Sequence, residues 1–151
     1  MPIRERIQQR GEFASASAEA AVSLMVAADH LNRGAEAICQ RHGITSDQYN
    51  VLRILRGVYP SGHPRCEIAR RMIHPSPDVT RMLDRLVRQR LVSRHRNPED
   101  RRESIAGITQ AGLSLLERVD PDIYRAQDEL TSALTEAELR RLSRLCDALV
   151  P

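Results

Sequence analysis

Apolar residues recur along most of this chain at helical spacing. From about Ala14 to Arg41, Leu24, Ala27, Ala28, Leu31 and Ile38 fall on one face of a 3.6-residue repeat and predict a long helix. Gly43 should end it, because a helix often closes on a residue with left-handed backbone, which glycine adopts without strain. Thr45-Ser46-Asp47-Gln48 fits a capping box and opens a helix through Val51, Leu52, Ile54 and Leu55. Tyr59-Pro60-Ser61-Gly62 breaks that helix. Pro64 suits the first turn of the next, from which Ile68, Ala69 and Met72 point inward. His74-Pro75-Ser76-Pro77 makes a turn. Beyond it, Val79, Met82, Leu83, Leu86 and Val87 form an i, i+3, i+4, i+7, i+8 stripe.

The period then changes. Leu91–Arg96 and Arg102–Ile108 read as two short strands around the polar turn Asn97-Pro98-Glu99-Asp100, which predicts a hairpin. Thr109 caps a helix expected to run to about Leu130, and Pro121 should bend or interrupt it by removing a backbone donor. Thr135-Glu136-Ala137-Glu138 is a second capping box. It starts a last helix with Leu139, Leu142, Leu145 and Leu149 on one face. The expected fold is mainly α with a small β-hairpin. Residues 1–42 form an N-terminal helical region, 43–108 a compact lobe and 109–151 the C-terminal helices. The apolar surface of the terminal helices exceeds what a small monomer buries, so those helices are expected to form a homodimer.

Composition narrows this picture. Hydrophobic residues make up 41% of the chain but aromatics only 3%, so the core must be aliphatic. Cys39, Cys66 and Cys146 are scattered and odd in number, which suits a reducing cytoplasm and not a disulfide framework. No apolar run is long enough for a membrane span, and the polar start is unlike a secretion signal. A soluble cytoplasmic protein is expected. Charge is unevenly placed: Pro60 to Ile105 holds eleven arginines against six acids, whereas the remainder holds twelve against fourteen. A basic middle between near-neutral flanks suits a segment that meets a polyanion.

The helices Arg65–Met72 and Ser76–Arg88 have the proportions of a helix-turn-helix. With Val79, Met82, Leu83 and Leu86 turned inward, Ser76, Asp78, Thr80, Arg81, Asp84, Arg85 and Arg88 are left for the outer face or its approach. Hydrogen-bonding groups mixed with arginine suit base edges and phosphates in a major groove. An ordinary solvated helix face has the same residue types, so the helix alone does not decide. The hairpin does. A basic loop bearing Arg94, Arg96, Asp100, Arg101 and Arg102 directly after such a helix can reach the neighbouring minor groove, whose narrow negative channel favours arginine.

These segments resemble the MarR family of regulators. The likeness lies in Cys66-Glu67-Ile68-Ala69-Arg70-Arg71-Met72, Val79-Thr80-Arg81-Met82-Leu83-Asp84-Arg85-Leu86 and Leu91-Val92-Ser93-Arg94. Asn97-Pro98-Glu99-Asp100-Arg101-Arg102 is similar to the family's wing, and Ile108-Thr109-Gln110-Ala111-Gly112 to the junction after it. With the stretch starting at Gly43, the likeness runs to about Leu116. Ile73 and Arg90 stand where the family often has glycine, and Pro75 and Pro77 crowd the start of the second helix.

The resemblance implies a homodimeric transcriptional regulator on double-stranded, pseudo-palindromic operator DNA, more specifically a repressor released by a small molecule. It implies that Arg102 enters the minor groove and that Asp100 pairs with it. It also implies a ligand pocket beside the dimer helices, for which His30, Arg33, Tyr49 and Arg53 are the candidates by position. A cation and a phenol near apolar walls suit an aromatic acid. The rival reading keeps the fold as a protein-binding or architectural module without sequence-specific DNA reading. Cysteine sensing and metal sensing have little behind them: Cys66 has one basic neighbour, and the pairs Cys39/His42 and His63/Cys66 lack further ligands. Glycine-rich phosphate loops, GxSxG, HExxH and Cys/His clusters are absent from the sequence, so neither an enzyme nor a cofactor is expected.

Overall fold

The computed structural model describes residues 1–100 and 102–150. A single turn, α1 (Ile3–Arg6), precedes the long helix α2 (Ala16–Arg41). α2 starts where the Ser15 hydroxyl accepts the Ala18 N–H at 3.1 Å. It ends as expected at Gly43, whose φ of +77° lets the Ile44 N–H turn back to the Cys39 carbonyl at 3.2 Å. Helix α3 (Ser46–Arg56) carries the anticipated capping box: Thr45 Oγ1 accepts the Gln48 N–H at 3.2 Å, and Gln48 Oε1 accepts the Thr45 N–H at 2.9 Å. A third acceptor comes from outside the motif. Glu36 of α2 takes the Ser46 N–H at 2.7 Å, which ties the two helices together at their junction.

The strand β1 (His63–Pro64) leads into α4 (Arg65–Arg71), and α5 (Val79–Arg88) follows the turn. α5 begins three residues later than the sequence pattern suggests. Pro75 and Pro77 disfavour helical backbone in the residues before them, and Pro77 has no N–H, so helical bonding starts after Asp78. Two bonds close α5, from the Leu91 N–H to the Leu86 carbonyl at 3.0 Å and from the Arg90 N–H to the Val87 carbonyl at 2.9 Å. Arg90 therefore adopts φ +60°, which explains why glycine would suit this position.

The hairpin forms from β2 (Val92–Arg96) and β3 (Ser104–Ile108), with Arg94 opposite Ala106. Pairing of His63 with Ala106 adds β1, giving an antiparallel sheet of order β1-β3-β2. The third strand leaves no mark in the sequence, because two residues are too short to show an alternating pattern. Helix α6 (Gln110–Thr131) starts at the Thr109 cap, where Oγ1 accepts the Gly112 N–H at 3.1 Å. Gly112 is required by close approach: a methyl there would come within 2.5 Å of the Leu91 carbonyl oxygen.

The expected break at Pro121 does not occur, and α6 runs through it. Pro121 lies on the exposed face of α6, as does Glu117, whose carbonyl loses its donor and can bind water instead. Helix α7 (Glu136–Asp147) opens on the second capping box. Ile38, Leu52, Leu55, Ile68, Leu83, Leu86, Val92, Ile108, Leu116 and Val119 join in one core that unites α2 through α6 and the sheet. α7 contributes no buried residue to it.

Candidate nucleic-acid interface and the adjoining cavity

Helix α5 owes its orientation to Val79, Leu83 and Leu86, which are buried and fix the opposite side toward solvent. Thr80, Arg81, Arg85 and Arg88 occupy that exposed side, as the sequence predicts. Three other candidates sit differently. Ser76 and Asp78 precede the helix, and Ser76 Oγ accepts the Asp78 N–H at 3.3 Å. Asp84 is half-buried and bonded to Arg94 Nη1 at 2.7 Å, so these two residues join α5 to strand β2. Arg81 leans toward Asp78 at 3.5 Å, with both side chains largely in solvent, a contact that water screens and a phosphate can displace.

The wing is a set of short polar turns. Asn97 Oδ1 accepts the Glu99 N–H at 3.0 Å, and Asn97 Nδ2 donates to Glu103 at 2.7 Å. Asp100 Oδ1 accepts the backbone N–H of Arg102 at 2.9 Å. The expected Asp100–Arg102 pairing is thus made to the main chain: the carboxylate shapes the turn from which Arg102 projects, and no ion pair joins the two side chains among the described residues. Arg96 and Arg102 are exposed. Arg101, the remaining wing candidate, lies outside the described residues. Thr80 of α5, Arg94 of β2, and Asp100 and Arg102 of the wing line one groove, whereas Arg81 and Arg85 border another with Ser76 and Asp78.

Behind α5 is a cavity of about 850 Å³, walled by α2, α3, the turn before α5, and α6. All four ligand candidates line it: His30, Arg33, Tyr49 and Arg53. They are not equally available. Arg33 is paired with Asp29 at 2.7 Å across one turn of α2, in solvent. The Tyr49 hydroxyl donates to Asp120 at 2.7 Å, so its ring faces the cavity wall while its proton is committed elsewhere. Burial and the Asp120 hydrogen bond push that phenol far above its ordinary pKa and keep it neutral. Arg53 lies over the Tyr49 ring at 5.8 Å from its centroid.

Asp120 also accepts from Arg56 Nη1 at 2.6 Å, so one carboxylate joins two residues of α3 to α6. Sequence spacing gave no sign of this cluster, because its members are 71 and 64 residues apart. Of the cysteines, Cys39 is buried and its thiol is pushed up to about 11, chiefly by burial, which leaves it protonated. Cys66 is exposed and Cys146 half-buried. No group of three potential metal ligands occurs among the described residues. Among them, too, no helix is long and apolar enough to cross a membrane.

A short helix, a tight turn, a helix with a basic outer face and a hairpin ending in exposed arginine define a winged helix-turn-helix DNA-binding protein. Comparison with known proteins gives the family. The model described as "MarR family" matches residues 44–104. The HTH-type transcriptional regulator MhqR of Bacillus subtilis (strain 168) is 29% identical over 117 residues, 78% of this chain and 77% of its own length. The homoprotocatechuate degradative operon repressor of Escherichia coli is 27% identical over 113 residues, 75% of either chain.

Solved structures agree. A MarR transcription factor from Planctomyces limnophilus superposes with a TM-score of 0.70 at 35% identity, covering 91% of this chain and 99% of its own. A mutant MarR from E. coli complexed with operator DNA gives 0.76 at 26% identity, over 85% of this chain and 91% of its own. The chain belongs to the MarR family of DNA-binding transcription regulators.

Proposed function

We propose that this regulator is a homodimeric, sequence-specific repressor that a small anionic aromatic ligand releases from its operator. The observation that carries the reading is that α5 leaves Arg81, Arg85 and Arg88 exposed, while the wing, which shares a groove with Thr80 of α5, leaves Arg102 exposed. A helix of this kind reads base edges in a major groove, and an arginine on a flanking loop fits the adjacent minor groove. Two leucines of α7, Leu142 and Leu145, are 45% and 55% exposed in the single chain and offer a surface for a second copy. Repression is supported by the E. coli relative, which is named for repressing a degradative operon.

The cavity supports the effector. Its walls combine Ile38, Ile123 and the Tyr49 ring with the cations Arg33 and Arg53 and with His30, a set suited to an aromatic carboxylate. Competition binding tests the reading. DNA from upstream of the protein's own gene should outcompete random duplex by about a thousandfold or more. A ratio near one would favour the architectural alternative.

A further inference from the structure

The turn between α4 and α5 is a wall of the cavity and also the lead-in to α5. Ile73, which follows the C-cap residue of α4, is 72% exposed although it is a large apolar side chain, and it lines the cavity. It is held from the opposite side by α3, where Asn50 Oδ1 accepts the Ile73 N–H at 2.9 Å. Beside that bond, His74 Nδ1 lies 3.4 Å from Asp47 Oδ1. All four residues face the cavity. What anchors the turn is therefore within reach of whatever fills the cavity.

The rest of the turn is stiff. Pro75 and Pro77 lock their own φ and disfavour helical backbone at His74 and Ser76, which restricts the torsions between Ile73 and the first turn of α5 at Val79. A glycine-rich turn would absorb a displacement at Ile73. This one transmits it. The buried Val79 then acts as a pivot, and the side of α5 carrying Thr80 and Arg81 moves with the turn.

We infer that Asn50 is a positioning residue for DNA reading: its hydrogen bond to Ile73 sets the turn, and the Pro75–Pro77 segment carries that setting to α5. An occupant of the cavity that displaces Ile73 breaks this bond and shifts the helix. That last step rests on the effector reading given above, whereas the positioning role does not depend on any ligand. The group that recognises DNA and the group that senses the cavity are thus joined by one side-chain-to-backbone hydrogen bond and two prolines.

The test needs no effector. Affinities for own-promoter DNA and for random duplex are measured on the full-length protein and its variants, together with thermal unfolding. Asn50→Leu keeps the branched shape but removes the acceptor, and should weaken promoter binding about tenfold while leaving random-duplex binding and folding unchanged. Asn50→Asp retains the accepting oxygen and should stay within about twofold of wild type. In a Pro75→Ala, Pro77→Ala background the cost of Asn50→Leu should shrink, because the loosened turn no longer carries the displacement.

Equal losses in Asn50→Asp and Asn50→Leu would overturn the inference, as would a loss shared by random duplex. An identical cost with and without the prolines would also overturn it. Promoter preference that survives in full in Asn50→Leu sinks this inference alone. Absence of any promoter preference in the wild type sinks it together with the regulator reading.

Discussion

Glu36 shows how one side chain does work that its position in the sequence does not announce. On the helical pattern of α2 it is a surface acid, yet it caps the first turn of α3 through the Ser46 N–H. That hydrogen bond, the largest influence on it, holds its carboxyl below the ordinary value of 4.5. A depressed acid adds stability above its unfolded-state pKa and loses it as pH falls through the folded value. Glu36→Gln should therefore cost about 0.5–1 kcal/mol at neutral pH, and the difference from wild type should fade as the pH falls through the depressed folded-state value. Urea titrations across that range check it; a difference independent of pH would assign the cost to packing.

The same contrast separates the other candidates. Thr80, Arg81 and Arg85 were legible as outward-facing, since the apolar stripe of α5 dictates what it leaves outside, whereas Arg102 was legible only through the wing's resemblance to the MarR family. That Asp84 and Arg94 bind one another, and that Tyr49 commits its proton to Asp120, depend on side chains brought together only by the fold.

Elements were easier to read than contacts, because caps and periods are local. Thr45, Thr109 and Thr135 each cap a helix as the sequence suggests. The misses are equally physical. Pro121 is tolerated because the carbonyl it orphans lies on the wet side of α6, a fact of burial that is absent from local sequence. The β1 strand exists through its partner β3, without a pattern of its own. Arg90 gives a direct test of element termination. Its backbone is left-handed at the end of α5, where a side chain costs about 1 kcal/mol relative to glycine. Arg90→Gly should raise unfolding stability by about that amount without altering the sheet. An unchanged or lowered midpoint in chemical denaturation would mean that the arginine makes compensating contacts.

At the scale of the whole molecule, the single chain leaves the apolar sides of its terminal helices uncovered. Leu24 and Leu31 of α2 are exposed, as are Leu142 and Leu145 of α7, so the core described here ends where a second copy is proposed to begin. Replacing Leu142 and Leu145 by Glu should convert dimers to monomers in sedimentation at micromolar concentration, since charge in an apolar contact is strongly unfavourable. A monomeric wild type would refute the assembly.

Two copies related by a twofold axis would present two α5 helices and two wings to one face of DNA. Hydroxyl-radical and methylation footprints of wild type and Arg102→Ala on own-promoter DNA test this arrangement most directly. Wild type should protect two major-groove segments about 10 base pairs apart, or a multiple of that spacing, flanked by protected minor-groove segments. Arg102→Ala should lose the minor-groove protection and keep the major-groove pattern at higher protein concentration. Protection of a single groove, or flanks indifferent to Arg102→Ala, would contradict the account.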